Sequence, residues 1–143
     1  MSRPSSKLSA TILALDYGSK RVGVAIKVSG TDQVEVVTTV DQDDQFWMSL
    51  RALLRRYHPD QIVLGWPRNV NAEKTSQTTT VELFAKRLQQ HTKLPVVLVD
   101  EFDSSNRAQQ LMPKGLPLRK QRAIIDHYAA KIILQDYIQE RTK

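Results

Sequence analysis

The chain has 143 residues, no cysteine, and 21 Lys and Arg against 15 Asp and Glu, which gives a formal net charge of +6 and a pI near 9.7. This length suits one domain that buries its own core, and the absence of cysteine excludes a disulfide framework, a thiolate metal centre and a cysteine nucleophile. No apolar run approaches the roughly 20 residues of a membrane helix, so the reading is a cytoplasmic protein without a membrane role, whose positive surplus favours an anionic partner.

A loose tail is expected over residues 1–10 and a single folded domain over 11–143. Three β-rich runs come first, Thr11 to Leu15, Val22 to Lys27 and Val34 to Thr39, rich in Val, Ile and Thr and joined by short connections that suit antiparallel pairing. In "DQDDQFWMSLRALLRRYHPD", Phe46, Leu50, Leu53, Leu54 and Tyr57 recur at helical spacing behind acidic first-turn residues, and the pattern stops before Pro59. Ile62 to Leu64 reads as a short buried strand closed by Gly65 and Pro67. A polar loop, "PRNVNAEKTS", then leads to a helix with Val81, Phe84, Ala85 and Leu88 on one face, and Val96 to Val99 forms another strand. A short helix after Ser104 or Ser105, a basic loop "PKGLPLRKQR" and a last helix from about Gln121 to Gln139 complete the chain. Strands alternating with helices imply parallel pairing in this half. The fold class is therefore α/β: a mixed five-stranded sheet, three antiparallel strands and then parallel ones, flanked by helices.

Ligands of such sheets gather beyond the carboxyl ends of parallel strands, and acids stand there. Asp16 closes the first strand, and Asp100 and Glu101 close the last. Asp126 shares a helical stripe with Ala129, Ala130 and Ile133, so a face meant for packing carries a carboxylate. Such a group needs a pair, hydrogen bonds, a proton or a metal. Carboxylate oxygens are the ligands that Mg²⁺ and Mn²⁺ prefer.

The motifs "LDYGSKRVGVAI", "GWPRN", "VDE" and "IDHYAAKIILQDYI", in that order, resemble the YqgF family of RNase H-like nucleases, relatives of the Holliday junction resolvase RuvC. The resemblance runs from about Ile12 to Tyr137. It implies an RNase H-like fold and assigns the catalytic and metal-holding acids to Asp16, Glu101 and Asp126, with Mg²⁺ or Mn²⁺ as cofactor. It also implies phosphodiester hydrolysis, with maturation of the 5′ end of 16S ribosomal RNA as the expected task. Structured RNA is then the expected partner, with branched DNA as the alternative and with monomer and homodimer both open. Other readings are a junction resolvase, a nucleic-acid-binding protein that does not cleave, and an ATP-binding module.

The nucleic-acid contacts expected are Lys20 and Arg21 in the turn after Asp16, Arg68 and Asn69 after a strand end, and Lys114, Arg119, Lys120 and Arg122 before the last helix. His58 and His91 read as helix-end residues, Trp47 as core and Trp66 as an anchor for its loop. The sequence departs from the family after "DE", where Phe102 replaces an arginine and Asp103 adds a negative charge.

Overall fold

The computed structural model describes residues 9–67, 76–101, 110 and 114–141, and at 66–67, 76–77, 100–101, 122–124, 126–127 and 140–141 only the backbone is described. In chain order the elements are β1 (Ile12–Asp16), β2 (Arg21–Lys27), β3 (Val34–Asp41), α1 (Phe46–Tyr57), β4 (Gln61–Pro67), α2 (Ser76–Thr92), β5 (Val96–Glu101) and α3 (Leu118–Arg141). The five strands form one sheet of order β3-β2-β1-β4-β5, with β1–β2 and β2–β3 antiparallel and β1–β4 and β4–β5 parallel. This is the mixed sheet that the sequence predicts.

Strand alternation divides the core into two layers. Leu13, Leu15, Val22, Val24, Ile62 and Leu64 pack on one face against Phe46 and Leu50 of α1 and Val81, Phe84 and Leu88 of α2. On the other face, Ile12, Ala14, Ala25, Val63 and Val99 pack against Ala130, Ile133, Leu134 and Tyr137 of α3. The central strands are apolar on both sides because helices cover both.

Several elements differ from the sequence reading at their ends. Acids precede α1 rather than forming its first turn: the Asp43 carboxylate accepts from the Gln45 backbone N–H at 2.9 Å, and the helix starts at Phe46. β4 runs through Gly65 to Pro67 and β5 to Glu101, because these residues pair with one another, Gly65 with Val99 and Pro67 with Glu101. A proline is tolerated at the end of a strand, where its missing N–H costs little. α3 begins at Leu118, directly after Pro117, with the Gln121 N–H donating to the Pro117 carbonyl at 3.0 Å. Arg119, Lys120 and Arg122 therefore stand on the first turns of a helix and not in a loop, and Lys114 alone of the four precedes it. The helix expected after Ser104 or Ser105 falls within 102–113, outside the described residues apart from 110, as do Phe102 and Asp103.

The amino edge of the sheet is closed by polar contacts. Lys27, fully buried, donates from Nζ to the Ala10 carbonyl at 2.6 Å. Burial lowers its pKa from the ordinary 10.5, opposed by the charges of Asp32 and Asp60. Asp60 accepts from the Thr11 N–H at 2.8 Å and donates its own N–H to the Thr11 carbonyl at 2.7 Å. Ser29 Oγ donates to the Ser9 carbonyl at 3.0 Å, so residues 9 and 10, at the end of the expected tail, are tied to the sheet.

The helix-end histidines behave differently from each other. His58 caps α1 in the left-handed region (φ 48°) with its N–H on the Leu54 carbonyl. His91 stacks flat on Trp47, centroids 3.8 Å apart and planes 9° from parallel. Trp47 is half-buried between α1 and α2, with the Arg87 guanidinium 5.4 Å from its ring centre.

Candidate active site at the carboxyl edge of the sheet

Asp16 is the last residue of β1 and is half-buried. Ile12 and Ala14 face α3, so alternation puts Asp16 on that face too. Its register partner in β2 is Gly23. In β4 the register step beyond the Leu15–Leu64 pair reaches Gly65, on the same face as Val63. Both strand neighbours of Asp16 at its own level therefore lack a side chain.

β5 answers which of the two adjacent acids joins it. Val97 and Val99 pack on the α3 side, so the position of Glu101 lies on that face and that of Asp100 on the other. β4 and β5 run two residues past the level of Asp16, so position 101 stands two strands, about 10 Å, across the sheet from Asp16 and about 7 Å further along, at the same edge.

α3 brings the third acid position to the same place. Ala130, Ile133 and Tyr137 meet the sheet, and position 126 precedes them by four, seven and eleven residues on the same stripe. Tyr137 is fixed at the amino edge, where its hydroxyl accepts from Gln61 Nε2 at 3.0 Å. Eleven residues of helix rise about 16 Å, whereas β4 climbs about 13 Å from Gln61 to Gly65 and about 20 Å to Pro67. Position 126 thus comes level with the carboxyl ends of the strands. Among the described residues no group of three His, Asp or Glu side chains that could hold a metal is found; the side chains of Glu101 and Asp126 lie outside that description.

The turn that carries Asp16 into β2 is held from a distance. Gln42, just after β3, donates its N–H to the Lys20 carbonyl at 2.9 Å and its side-chain amide to the Gly18 carbonyl at 2.8 Å. A Cβ on Gly18 would meet the Arg21 carbonyl oxygen at 2.5 Å, so the turn closes too tightly for any other residue. Sequence reasoning finds Gly18 but not Gln42, whose role appears only when β3 is laid beside β2.

Of the expected cationic contacts, Lys20 is exposed in this turn, and Arg21 is half-buried at the start of β2, on the same face as Gly23 and Asp16 by alternation. Lys114, Arg119 and Lys120 are exposed. α3 runs from this edge toward the amino edge, so residues 119 and 120 stand roughly 10 Å beyond position 126, past the strand ends. Arg68 and Asn69, and the side chains of Arg122 and Trp66, lie outside the description.

A family model described as "RuvX: Holliday junction resolvase" matches residues 10–140. A protein of Methylobacillus flagellatus named "Putative pre-16S rRNA nuclease" is 33% identical over 140 residues, 96% of each chain. One of the same name from Geobacillus kaustophilus is 35% identical over 136 residues, covering 90% of this chain and 97% of the other. Among solved structures, RuvC of Thermus thermophilus in complex with a Holliday junction substrate aligns over 93% of this chain and 96% of its own, with a TM-score of 0.54 and 11% identity, a likeness of fold. No described helix is long and apolar enough to cross a membrane.

Proposed function

We propose, from the premise that this chain belongs to the RuvX family, that it is a nuclease that hydrolyses phosphodiester bonds of nucleic acid, with the 5′ end of precursor 16S ribosomal RNA as its substrate. The substrate follows the names of the relatives, and that substrate puts its work in the cytoplasm. The observation that carries the reading is the convergence of Asp16, position 101 and position 126 on one face at one end of the sheet.

The donor set fits a hard divalent cation: three carboxylates, no sulfur, and glycine on both sides of Asp16. Asp16, Glu101 and Asp126 would hold Mg²⁺ or Mn²⁺, which supplies Lewis-acid activation of water and neutralises charge on the phosphoryl oxygens. The chain's own part is to keep these acids in place. The backbone of Asp16 is held by pairing with Gly23 in β2, directly after the Leu15–Leu64 pair with β4, which lowers the reorganisation needed when substrate arrives. Arg21, on the same face, brings positive charge to the phosphate. Lys20, Arg68, Asn69, Lys114, Arg119, Lys120 and Arg122 track the backbone on either side, giving affinity without reading sequence.

The test is cleavage of a structured ribosomal precursor RNA and of a four-way DNA junction, each with Mg²⁺ and with Mn²⁺, by the wild type and by Asp16→Asn. The expected result is cutting of the RNA by the wild type and binding without cutting by the variant. Preference for the junction moves the substrate to DNA. Binding by the wild type with no turnover on either substrate overturns the enzyme reading in favour of a binding protein.

A further inference from the structure

The sheet edge that carries the acids has a second feature, on the face away from α3. A cavity of about 490 Å³ opens there, lined by Tyr17, Gln42, Thr80, Phe84, Arg87 and Gln90. Its volume falls in the range of small-ligand sites, about 300–1,000 Å³. It is built from the residue after Asp16 and the residue after β3, both at the carboxyl edge, and from the stretch of α2 between Thr80 and Gln90.

Its lining combines an aromatic wall with groups that read polar edges. Tyr17 is half-buried, and its ring packs on that of buried Phe84, centroids 4.8 Å apart at 54°, so the wall is backed and fixed. The Gln90 amide offers the paired donor and acceptor that match a nucleobase edge, while the Gln42 amide is held on the Gly18 carbonyl. Arg87 and neighbouring Lys86 supply charge for a phosphate. Along α1, α2 and the residue after α2 stand Arg51, Arg55, Arg56, Lys86, Arg87 and Lys93 with one acid, Glu82, while Asp41, Asp43 and Asp44 flank Gln42.

We infer that this cavity takes one unstacked base of the substrate strand, within one or two nucleotides of the bond cut at the acid edge; the inference rests on the nuclease reading above. Asp16 and Tyr17 are consecutive, their Cα atoms about 3.8 Å apart, and strand alternation sends one to each face of the sheet. A nucleic-acid strand lying over the edge meets both. A base reaches a recess of this kind only out of its stack, which selects single-stranded or locally opened substrate. Stacking on the tyrosine supplies affinity that tolerates sequence, and the Gln90 amide adds preference among bases.

The experiment uses a precursor RNA oligonucleotide with one abasic residue placed in turn at each position around the mapped cut. Binding is read with the Asp16→Asn protein and cutting with the wild type. One position within two nucleotides of the cut is expected to lose roughly tenfold or more in affinity when its base is removed. That sensitivity is expected to vanish in Tyr17→Leu, which keeps the packing on Phe84, and to shrink in Gln90→Ala on the exposed face of α2. A flat abasic profile with cutting of the intact RNA retained overturns the inference and leaves the nuclease reading standing. So does a sensitive position that both variants leave unchanged. No cutting of the intact RNA at all overturns both.

Discussion

Replacing Gly18 by alanine puts one methyl group against the backbone of the turn that launches β2. The added Cβ would stand 2.5 Å from the Arg21 carbonyl oxygen, at least 0.5 Å inside the 3.0 Å below which real contacts essentially never fall. The neighbour is backbone and cannot swing aside, so the turn has to open. Opening strains the two hydrogen bonds from Gln42, at 2.8 and 2.9 Å. With net contributions of about 1 kcal/mol each, and about 1 kcal/mol of residual strain, the loss of stability is about 2–3 kcal/mol. The same movement displaces Asp16 by a fraction of an ångström, and misplacements of about 1 Å cost about 100-fold in rate. Gly30→Ala is the control: it stands at the opposite edge with φ +90° and open space around it, so it carries backbone strain of about 1–2 kcal/mol and no clash near the acids. Urea unfolding and single-turnover cleavage of the precursor RNA are measured on both. The expected result is destabilisation of both variants, larger by about 1 kcal/mol in Gly18→Ala, with a rate loss of about 10–100-fold in Gly18→Ala alone. Equal cleavage rates in the two variants refute the coupling between the turn and the acid.

Gln42→Ala removes the side-chain amide bond to the Gly18 carbonyl while leaving the backbone bond to Lys20, so it is expected to cost about 1 kcal/mol in urea unfolding and to slow cleavage less than Gly18→Ala does. Lys27 titrates below 10.5 in the folded protein, and between that lowered value and 10.5 the unfolded chain holds a proton that the folded one lacks. Stability contributed by this residue therefore rises with pH across that window and is lost as pH falls through the lowered value. The Lys27→Met variant is expected to lack this component when unfolding curves of the two proteins are compared from neutral to alkaline pH. Alanine at Lys114, Arg119, Lys120 and Arg122 together is expected to weaken RNA binding and to reduce the slope of log K against log salt by up to about 3, at about 0.7 per lost phosphate contact on a single strand. An unchanged slope removes these residues from the binding surface.

The sheet was legible in the sequence because its signals are local. The runs around Ile12, Val22, Val34, Ile62 and Val96 each announce a strand by composition, and short connections against helical ones tell antiparallel from parallel pairing. Membership of the nuclease family was legible from four motifs in order. The ends of elements were less so: β4 and β5 extend past Leu64 and Val99 because each stabilises the other, and that pairing joins residues more than thirty apart. The same extension separates Glu101 from Asp100, a choice that composition leaves open and that strand alternation decides. Asp126 could be placed on a packing stripe from its own helix, whereas Gln42 and Tyr17 owe their positions to contacts with β1, β2 and α2 and leave no local mark.

That α3 is, among the described residues, the helix packed on this face of the sheet has a consequence for the order of events during synthesis. Among the described residues, Ile12, Ala14, Ala25 and Val63 find their helical cover on that side in α3. Ribosomes add its 24 residues in roughly 1–5 s, and through that interval the nascent chain carries Asp16 and Glu101 without Asp126. Sealing of the second core layer and arrival of the third of the proposed metal-holding acids are a single step, so the proposed site is not complete before this layer closes.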